Sequence, residues 1–488
     1  IKKWGIKKFN LDELYVRFFR MAEHRIAEQT GHGIVCLISN FSYLSEPSFV
    51  VMRQRFLREF DYLWIDNMNG DSRETGKRTP DGKPDPSVFS TEYNKAGIRK
   101  GTAVTILARR TERKDQPVMR YRQFWGSSKR SDLLNTLMAP DINNGYQFLQ
   151  PVTENHYLFR PSDASATYLI WPKLADLSAV TLQGMDEDRA NALIEIESKK
   201  LEKLMEKYFD ESFTWEQFAA LGTGLSRESA AFQPQKVRDK AKKEHEFSKS
   251  NIRRYLFRPY DMRWCYYSSV PNVWKRSRPE LWRQHWDGNA WLLSRTSGVA
   301  EPEGTPFLFS KSLVARDSMR GHAVAFPIRL LREVVNNKKP KEQAHLLNLE
   351  ETGIKATANL STSARSYLSS LGMANPDTDA YTAGLIWMHA LAIGYSPAYL
   401  REHADGIRKD WPRIPLPKNK ELLEASAELG ERIAALLDTE RSAPGVTGPP
   451  LRPEIQNIAV ITREDEGQLQ PKELAVTAGW GHAGQNGI

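Results

Sequence analysis

Between Lys236 and Arg283 the chain sets fourteen Lys and Arg residues against five Asp and Glu, so this stretch alone carries the whole formal net charge of +9. It overlaps a run of aromatic rings from Tyr255 and Phe257 through Trp264, Trp274 and Trp282 to Trp291. Cations among rings suit a polyanion that also offers bases: ammonium and guanidinium groups meet phosphates, and rings meet base faces. The same residues also read as a solvated helix, 236–246, followed by an aromatic strand core. Taken as a whole, the cluster favours nucleic acid. Its candidate contacts are Lys236, Lys242, Lys243, Trp274, Lys275, Arg276, Arg278 and Arg283. An arginine can engage guanine bidentately, whereas lysine mostly meets phosphate, and Arg276, Arg278 and Arg283 in their polar stretch suit either role. The run Arg258-Pro-Tyr-Asp261-Met-Arg263 reads differently, as an internal salt-bridged corner.

No self-contained catalytic set accompanies these cations. The chain has no Walker loop, no His-Glu-x-x-His and no Gly-x-Ser-x-Gly elbow. Its ten histidines are scattered, so no metal is expected, and His322 and His389 read as satisfied core or surface residues. Cys36 and Cys265 lie too far apart to suggest a disulfide framework or a zinc site, and a reducing cytoplasm is the natural setting. The longest apolar run, 383–395, contains His389 and falls short of the roughly 18 residues a membrane span needs.

The elements that must position these residues follow from periodicity. A length of 488 residues with 40% apolar and 26% charged content predicts a globular protein of two to four domains. The chain opens on Ile1 rather than Met and enters an amphipathic helix over 10–27. Leu14, Phe18, Met21, Ala22 and Ile26 recur there near helical spacing. Ile34 to Ile38 is continuously apolar, as expected of a central parallel strand covered on both faces. Together they read as the second half of an α/β nucleotide-binding domain whose first half lies outside the chain. A helix is expected over 47–60 and strands over 62–66 and 102–108. The intervening 69–101 is a long loop of the functional or disordered kind. Further strands are expected at 118–125, 157–159 and 168–171, and a charged helix over 186–208. Residues 411–417, with three prolines, must be extended. A clean amphipathic helix follows over 421–437, then strand-like pieces at 457–462 and 473–477. The resulting division is 1–112, 113–250, a basic aromatic β-rich part over 251–376, a helical part over 377–440 and a Pro/Gly-rich tail over 441–488.

Several motifs occur in a telling order: Leu14-Tyr15-Val16-Arg17-Phe18, the strand Gly33 to Asn40, Arg53 to Phe56, Ile65-Asp66, Val88-Phe89, and Gly97 to Ala103. In that order they resemble the C-terminal half of the catalytic domain of gamma-class adenine-specific DNA methyltransferases. Downstream, Arg258 to Trp264, Trp274 to Pro279, Ser396 to Tyr399 and Trp411 to Pro417 resemble the target-recognition region of type ISP enzymes, the single-polypeptide type I restriction-modification enzymes. The resemblance implies the second half of a Rossmann-like methyltransferase sheet, followed by an α+β target-recognition domain with a helical C-terminal part. It implies S-adenosylmethionine as cofactor, with Phe18 and Tyr15 at its site, and no metal, because the methyl group arrives already activated. It implies double-stranded DNA as partner, and nuclease and helicase domains in the same polypeptide or complex. An adenine turned out of the duplex would stack on Phe89, or on Tyr93, since this sequence carries an insertion between Phe89 and Gly97. The family's cofactor glycine motif and its Asn-Pro-Pro-Tyr/Phe motif do not occur in the chain. The expectation is therefore an incomplete methyltransferase that carries its recognition module. The alternative is a DNA-specificity module on a degenerate, non-catalytic platform.

Overall fold

A computed structural model describes residues 4, 11–72, 74–229, 232–298, 304–333 and 354–442. They fall into two units: residues 1–172, 297–304 and 397–415 form one, and residues 173–296, 305–396 and 416–488 the other. The first sheet does not stop at residue 112, and the first unit recruits two later segments.

In the first unit, α1 (Leu14–Glu23) ends in a π-helical turn, His24–Thr30, before β1 (Gly33–Asn40). The chain continues through α2 (Val50–Glu59), β2 (Tyr62–Asn67), β3 (Thr102–Arg109), β4 (Val118–Gln123), α3 (Lys129–Thr136), β5 (Gln147–Leu149) and α4 (Ala166–Ile170). The five strands form one sheet in the order β1-β3-β2-β4-β5. β3 runs antiparallel to both β1 and β2, and β2 runs parallel to β4. Side chains alternate across a strand. Val35, Leu63, Ile65, Leu107, Met119 and Tyr121 therefore share one face, where they join Phe19, Phe49 and Phe56 in a buried core. Arg53 is wholly buried and donates to the carbonyls of Tyr43, Glu46 and His156 (2.8, 2.9 and 3.0 Å).

Two expectations are corrected here. Among the described residues β1 ends the strand order and pairs antiparallel with β3, where a parallel partner was expected, and Ile34, Cys36 and Ile38 on its other face are exposed. Helix α1 does not bury Leu14, Phe18 and Met21; it buries Val16, Phe19 and Glu23. The helix is apolar on two faces, so periodicity alone could not say which one meets the sheet. Glu23 tolerates burial because Arg20 and Arg55 both bond its carboxylate, at 2.8 and 2.7 Å. Two strand expectations also fail: 168–171 overlaps α4, and 157–159 is irregular.

The second unit contains β6 (Leu182–Gln183), β7 (Ile194–Glu195), α5 (Ser198–Phe209), α6 (Trp215–Ala219), α7 (Pro234–Glu244), β8 (Ile252–Arg258), β9 (Asp261–Tyr266) and α8 (Pro279–Arg283). After these come β10 (Trp291–Ser294), β11 (Phe307–Ser310), β12 (Leu313–Val314), β13 (Val324–Pro327), β14 (Arg329–Glu333), β15 (Ile354–Ala358), α9 (Thr362–Ser370) and α10 (Ala380–Gly394). Short helices α11 (Pro397–Glu402) and α12 (Ala404–Lys409) return to the first unit, and α13 (Lys420–Leu437) belongs to the second. Two four-stranded sheets, β11-β10-β13-β6 and β12-β8-β9-β7, share its large core with α5, α7 and the intervening loops. The charged helix begins only at Ser198, because 186–193 is a loop.

The C-terminal part is helical, as expected. α10 is apolar nearly all round and packs on α13, where a Cβ on Gly430 would lie 1.9 Å from the Met388 carbonyl oxygen. His389 is buried there, with Nδ1 2.8 Å from the Ser426 hydroxyl. Among the described residues, no helix is long and apolar enough to cross a membrane, and no group of three His, Cys, Asp or Glu is placed to hold a metal ion. The strand-like pieces expected after residue 441 lie outside the described residues.

Candidate nucleic-acid interface

Three backbone segments of the second unit lie side by side around Asp186. Asp186 and Arg276 exchange both backbone hydrogen bonds, at 3.1 and 2.9 Å. On the other flank the Met185 N–H donates to Val314 (2.9 Å) and the Arg316 N–H donates to Met185 (2.7 Å). This brings two guanidiniums to one carboxylate oxygen: Arg316 Nη1 is 3.2 Å and Arg276 Nη1 3.5 Å from Oδ2 of Asp186. Beside them Lys275 pairs with Asp188 at 2.8 Å. Arg278 caps α8 in the left-handed region, at φ 53°. Burial, then the guanidiniums of Arg276 and Arg316, push its pKa below the usual arginine value, and its Nε has no partner among the described residues. The site is thus cation-rich, with one shared anion at its centre.

Arg316 is held on its far side as well. Its Nη2 donates to Nε2 of His322 at 2.7 Å. A guanidinium has donors only, so that imidazole nitrogen accepts and the ring proton sits on Nδ1. Nδ1 then donates to Oδ1 of Asp317 at 2.8 Å. His322 and the preceding Gly321 both have positive φ, 77° and 86°. Sequence reasoning found Arg276 and Arg278 but missed Asp186, Arg316, Asp317 and His322. The available signal was the cation-rich turn Arg316-Asp-Ser-Met-Arg320-Gly-His322, which lies far from Arg276 in sequence.

The other candidates separate by burial. Lys236 and Lys243 stand exposed on α7, which buries Val237, Arg238 and Ala241. Lys242 donates to the Asp210 carbonyl at 3.1 Å, and Arg283 is exposed in the last turn of α8. Trp274 is corrected: it is buried, and its indole N–H donates to the Tyr266 carbonyl at 2.9 Å, so its face belongs to the core. Most of the aromatic run shares that fate, with Tyr255, Phe257, Tyr266, Tyr267 and Trp291 all buried. The Arg258–Arg263 run is a corner, as read. Arg263 bonds both oxygens of Asp261 (2.9 and 2.7 Å), and its guanidinium lies over the Phe257 ring at 3.9 Å.

In the first unit the long loop 69–101 is pinned from below. Asp85 is wholly buried; it accepts from the N–H groups of Gly70 and Gly126 (2.7 and 2.8 Å) and pairs with Lys129 at 2.6 Å. Asp71 accepts from the N–H groups of Gly101 (2.9 Å) and Glu74 (2.7 Å). Above this frame Phe89 is 45% exposed and Tyr93 fully exposed, so both rings stand open to a ligand. Phe18, half-exposed on α1, offers a flat apolar face that suits an adenine ring. Tyr15 does not: its ring packs toward Tyr43 and Phe49 (centroids 6.3 and 6.1 Å), although its buried hydroxyl has no partner among the described residues. Of the two residues expected at a cofactor, only Phe18 is open to a ligand, and it does not form a site by itself.

Known proteins place this geometry in context. No curated protein matches the chain. The solved structures that share its fold include the following three. The DrdV–DNA complex does so at 18% identity and TM-score 0.56, over 88% of this chain and 40% of that one. A nuclease-deletion mutant of the type ISP restriction-modification enzyme LlaGI, in complex with a DNA substrate mimic, does so at 18% identity and TM-score 0.54, over 88% and 37%. The ATP-dependent type ISP restriction-modification enzyme LlaBIII bound to DNA does so at 15% identity and TM-score 0.58, over 88% and 26%. The chain therefore spans 40% or less of each of these proteins. The model of one family, the type ISP C-terminal specificity domain, matches residues 178–478, which take in the arginine cluster, α7 and α13. The chain belongs to the type ISP C-terminal specificity domain family.

Proposed function

We infer that this chain recognises a specific sequence in double-stranded DNA on behalf of an S-adenosylmethionine-dependent DNA adenine methyltransferase of a restriction-modification or phage-defence system. The observation that carries this reading is the cluster of Arg276, Arg278 and Arg316 around Asp186, inside the stretch that matches a specificity-domain family. In this reading the exposed lysines of α7 meet phosphates and the arginine cluster meets bases. The first unit then serves the methyl-transfer side. Phe89 or Tyr93 stacks an adenine turned out of the duplex, and the anchored loop holds that ring in place. S-adenosylmethionine, when bound, supplies an already activated methyl group, and Phe18 forms one wall of its site.

The open sheet face and the exposed side of α1 support a further reading: another α/β segment completes the first sheet. The longer enzyme would also carry a nuclease and a helicase. LlaGI, studied with its nuclease deleted, and the ATP-dependent LlaBIII are the precedents.

The test is selection from a randomised duplex pool by the 488-residue chain, read by sequencing. A specificity module enriches one motif, with typical mismatch costs of about 1–3 kcal/mol per base pair. Enrichment of no sequence at any salt would overturn the reading. Labelled methyl transfer to DNA by this chain alone would overturn the view that it needs a partner segment for catalysis.

A further inference from the structure

We propose that Arg316 and Arg276, with the carboxylate of Asp186 between them, read the major-groove edge of a G·C pair, and that His322 is the positioning residue that sets Arg316. This assignment rests on the DNA-specificity reading above and deepens it.

The argument begins with the carboxylate. A phosphate presents only acceptors and carries negative charge, so a site built for it has no use for an anion at its centre. A base-pair edge is different, because a G·C pair presents O6 and N7 as acceptors and the cytosine amine as a donor. Two guanidiniums sharing one carboxylate oxygen offer that mixture of donors and acceptor. The exposed Lys236 and Lys243 on α7 have no ion-pair partner among the described residues, which suits phosphate.

Fixity points the same way. An arginine that reads a base must hold its plane, since a mobile guanidinium loses conformational freedom on each contact. Arg316 is anchored twice, by Asp186 at Nη1 and by His322 at Nη2. Those bonds use two of its five N–H groups, which leaves donors for a ligand. His322 is itself oriented by Asp317, and its backbone holds a left-handed conformation that residues with a Cβ seldom adopt. Strain of this kind persists where surrounding structure over-determines it, and it gathers at functional sites. Here the fixing bonds are His322 N–H to the Met319 carbonyl (3.1 Å) and Ala323 N–H to the Arg316 carbonyl (2.7 Å).

The experiment compares the 488-residue wild type with Arg316→Lys, His322→Ala, His322→Gln and Lys243→Ala in the same randomised-duplex selection. Wild type is expected to fix a G·C pair at one position. Arg316→Lys should lose that preference, which for one bidentate contact is about 5–150-fold, while binding to bulk DNA changes by less than about twofold. His322→Ala should lose preference at the same position. His322→Gln should keep it, because a side-chain carbonyl can accept from Nη2 where the imidazole does. A purely structural role would give neither a single-position loss nor rescue by glutamine. Lys243→Ala should weaken all sequences alike. The assignment is overturned if Arg316→Lys leaves the motif intact, if it weakens every sequence equally, or if the position lost is not a G·C pair. A wild type that enriches nothing overturns the specificity reading itself, a separate and recognisable failure.

Discussion

At the scale of single residues, burial decides what each candidate can do. Trp274 and Lys243 looked alike as members of one basic aromatic stretch, yet one is core and the other surface. Trp274→Ala should lower the unfolding free energy by roughly 3–5 kcal/mol, the range for large-to-small aromatic changes in cores. Lys243→Ala should stay within about 0.5 kcal/mol and reduce the salt dependence of DNA binding by about one counterion. Urea denaturation and binding titrations separate the two, and equal stability losses would contradict the placement of Trp274. His285 gives a pH test. Burial, then the Arg253 guanidinium, push its imidazole down to about 4, against pull from Asp287 and a backbone bond with Lys311. The folded state thus prefers neutral His285. Its contribution to stability is complete above the unfolded value near 6.5 and is lost as pH falls toward about 4. Urea midpoints of wild type should drop more steeply through that window than those of His285→Gln, and parallel curves would refute this.

At the scale of elements, sequence was informative wherever one signal pointed one way. The strands expected over 62–66 and 102–108, the extended 411–417 and the helix expected over 421–437 all emerged, each within a residue of its expected bounds. Helix α1 was legible as a helix but not in its orientation, since Leu14 and Phe18 compete with Val16 and Phe19 for the sheet. β1 was legible as a strand but its antiparallel pairing with β3 was not, because an apolar run records only that side chains avoid water. Its thiol checks this: Cys36 should react with a thiol reagent in the native chain, while the buried Cys265 should react only on unfolding. Rapid labelling of both would show that β9 is misplaced. The loop 69–101 looked unanchored because Asp85 and Lys129 lie 44 residues apart. Replacing Lys129 with Met leaves a buried carboxylate without its cation, a loss of about 3–5 kcal/mol. Amide exchange across 86–100 should then rise sharply, and unchanged protection there would mean that the ion pair does not hold the loop.

At the scale of the whole molecule, +9 of formal charge has a measurable consequence. If six or more cations meet phosphates, affinity for duplex DNA should fall by roughly 10³-fold or more between about 50 and 200 mM salt. A slope near zero would rule out phosphate contacts as the source of binding. The candidate recognition site was half legible at this scale. Arg276 and Arg278 lay inside an obvious charge excess, whereas Arg316 lay outside it and reaches Asp186 only through the pairing of β12 with β8 and the Met185 bridge.

The first unit closes with residues 397–415. There Arg413 donates to the carbonyls of Trp171 (2.9 Å) and Glu154 (2.8 Å), and Ile414 is wholly buried. On a ribosome, the partners of that arginine are made long before the arginine itself. At about 5–20 residues per second the gap is roughly 10–50 s. For that interval Tyr168 and its neighbours have no lid, although all five strands of the first sheet are already made. The nascent chain must therefore keep a half-built surface from aggregating until its own later sequence arrives, and a stall anywhere before residue 415 would expose that surface for as long as the stall lasts.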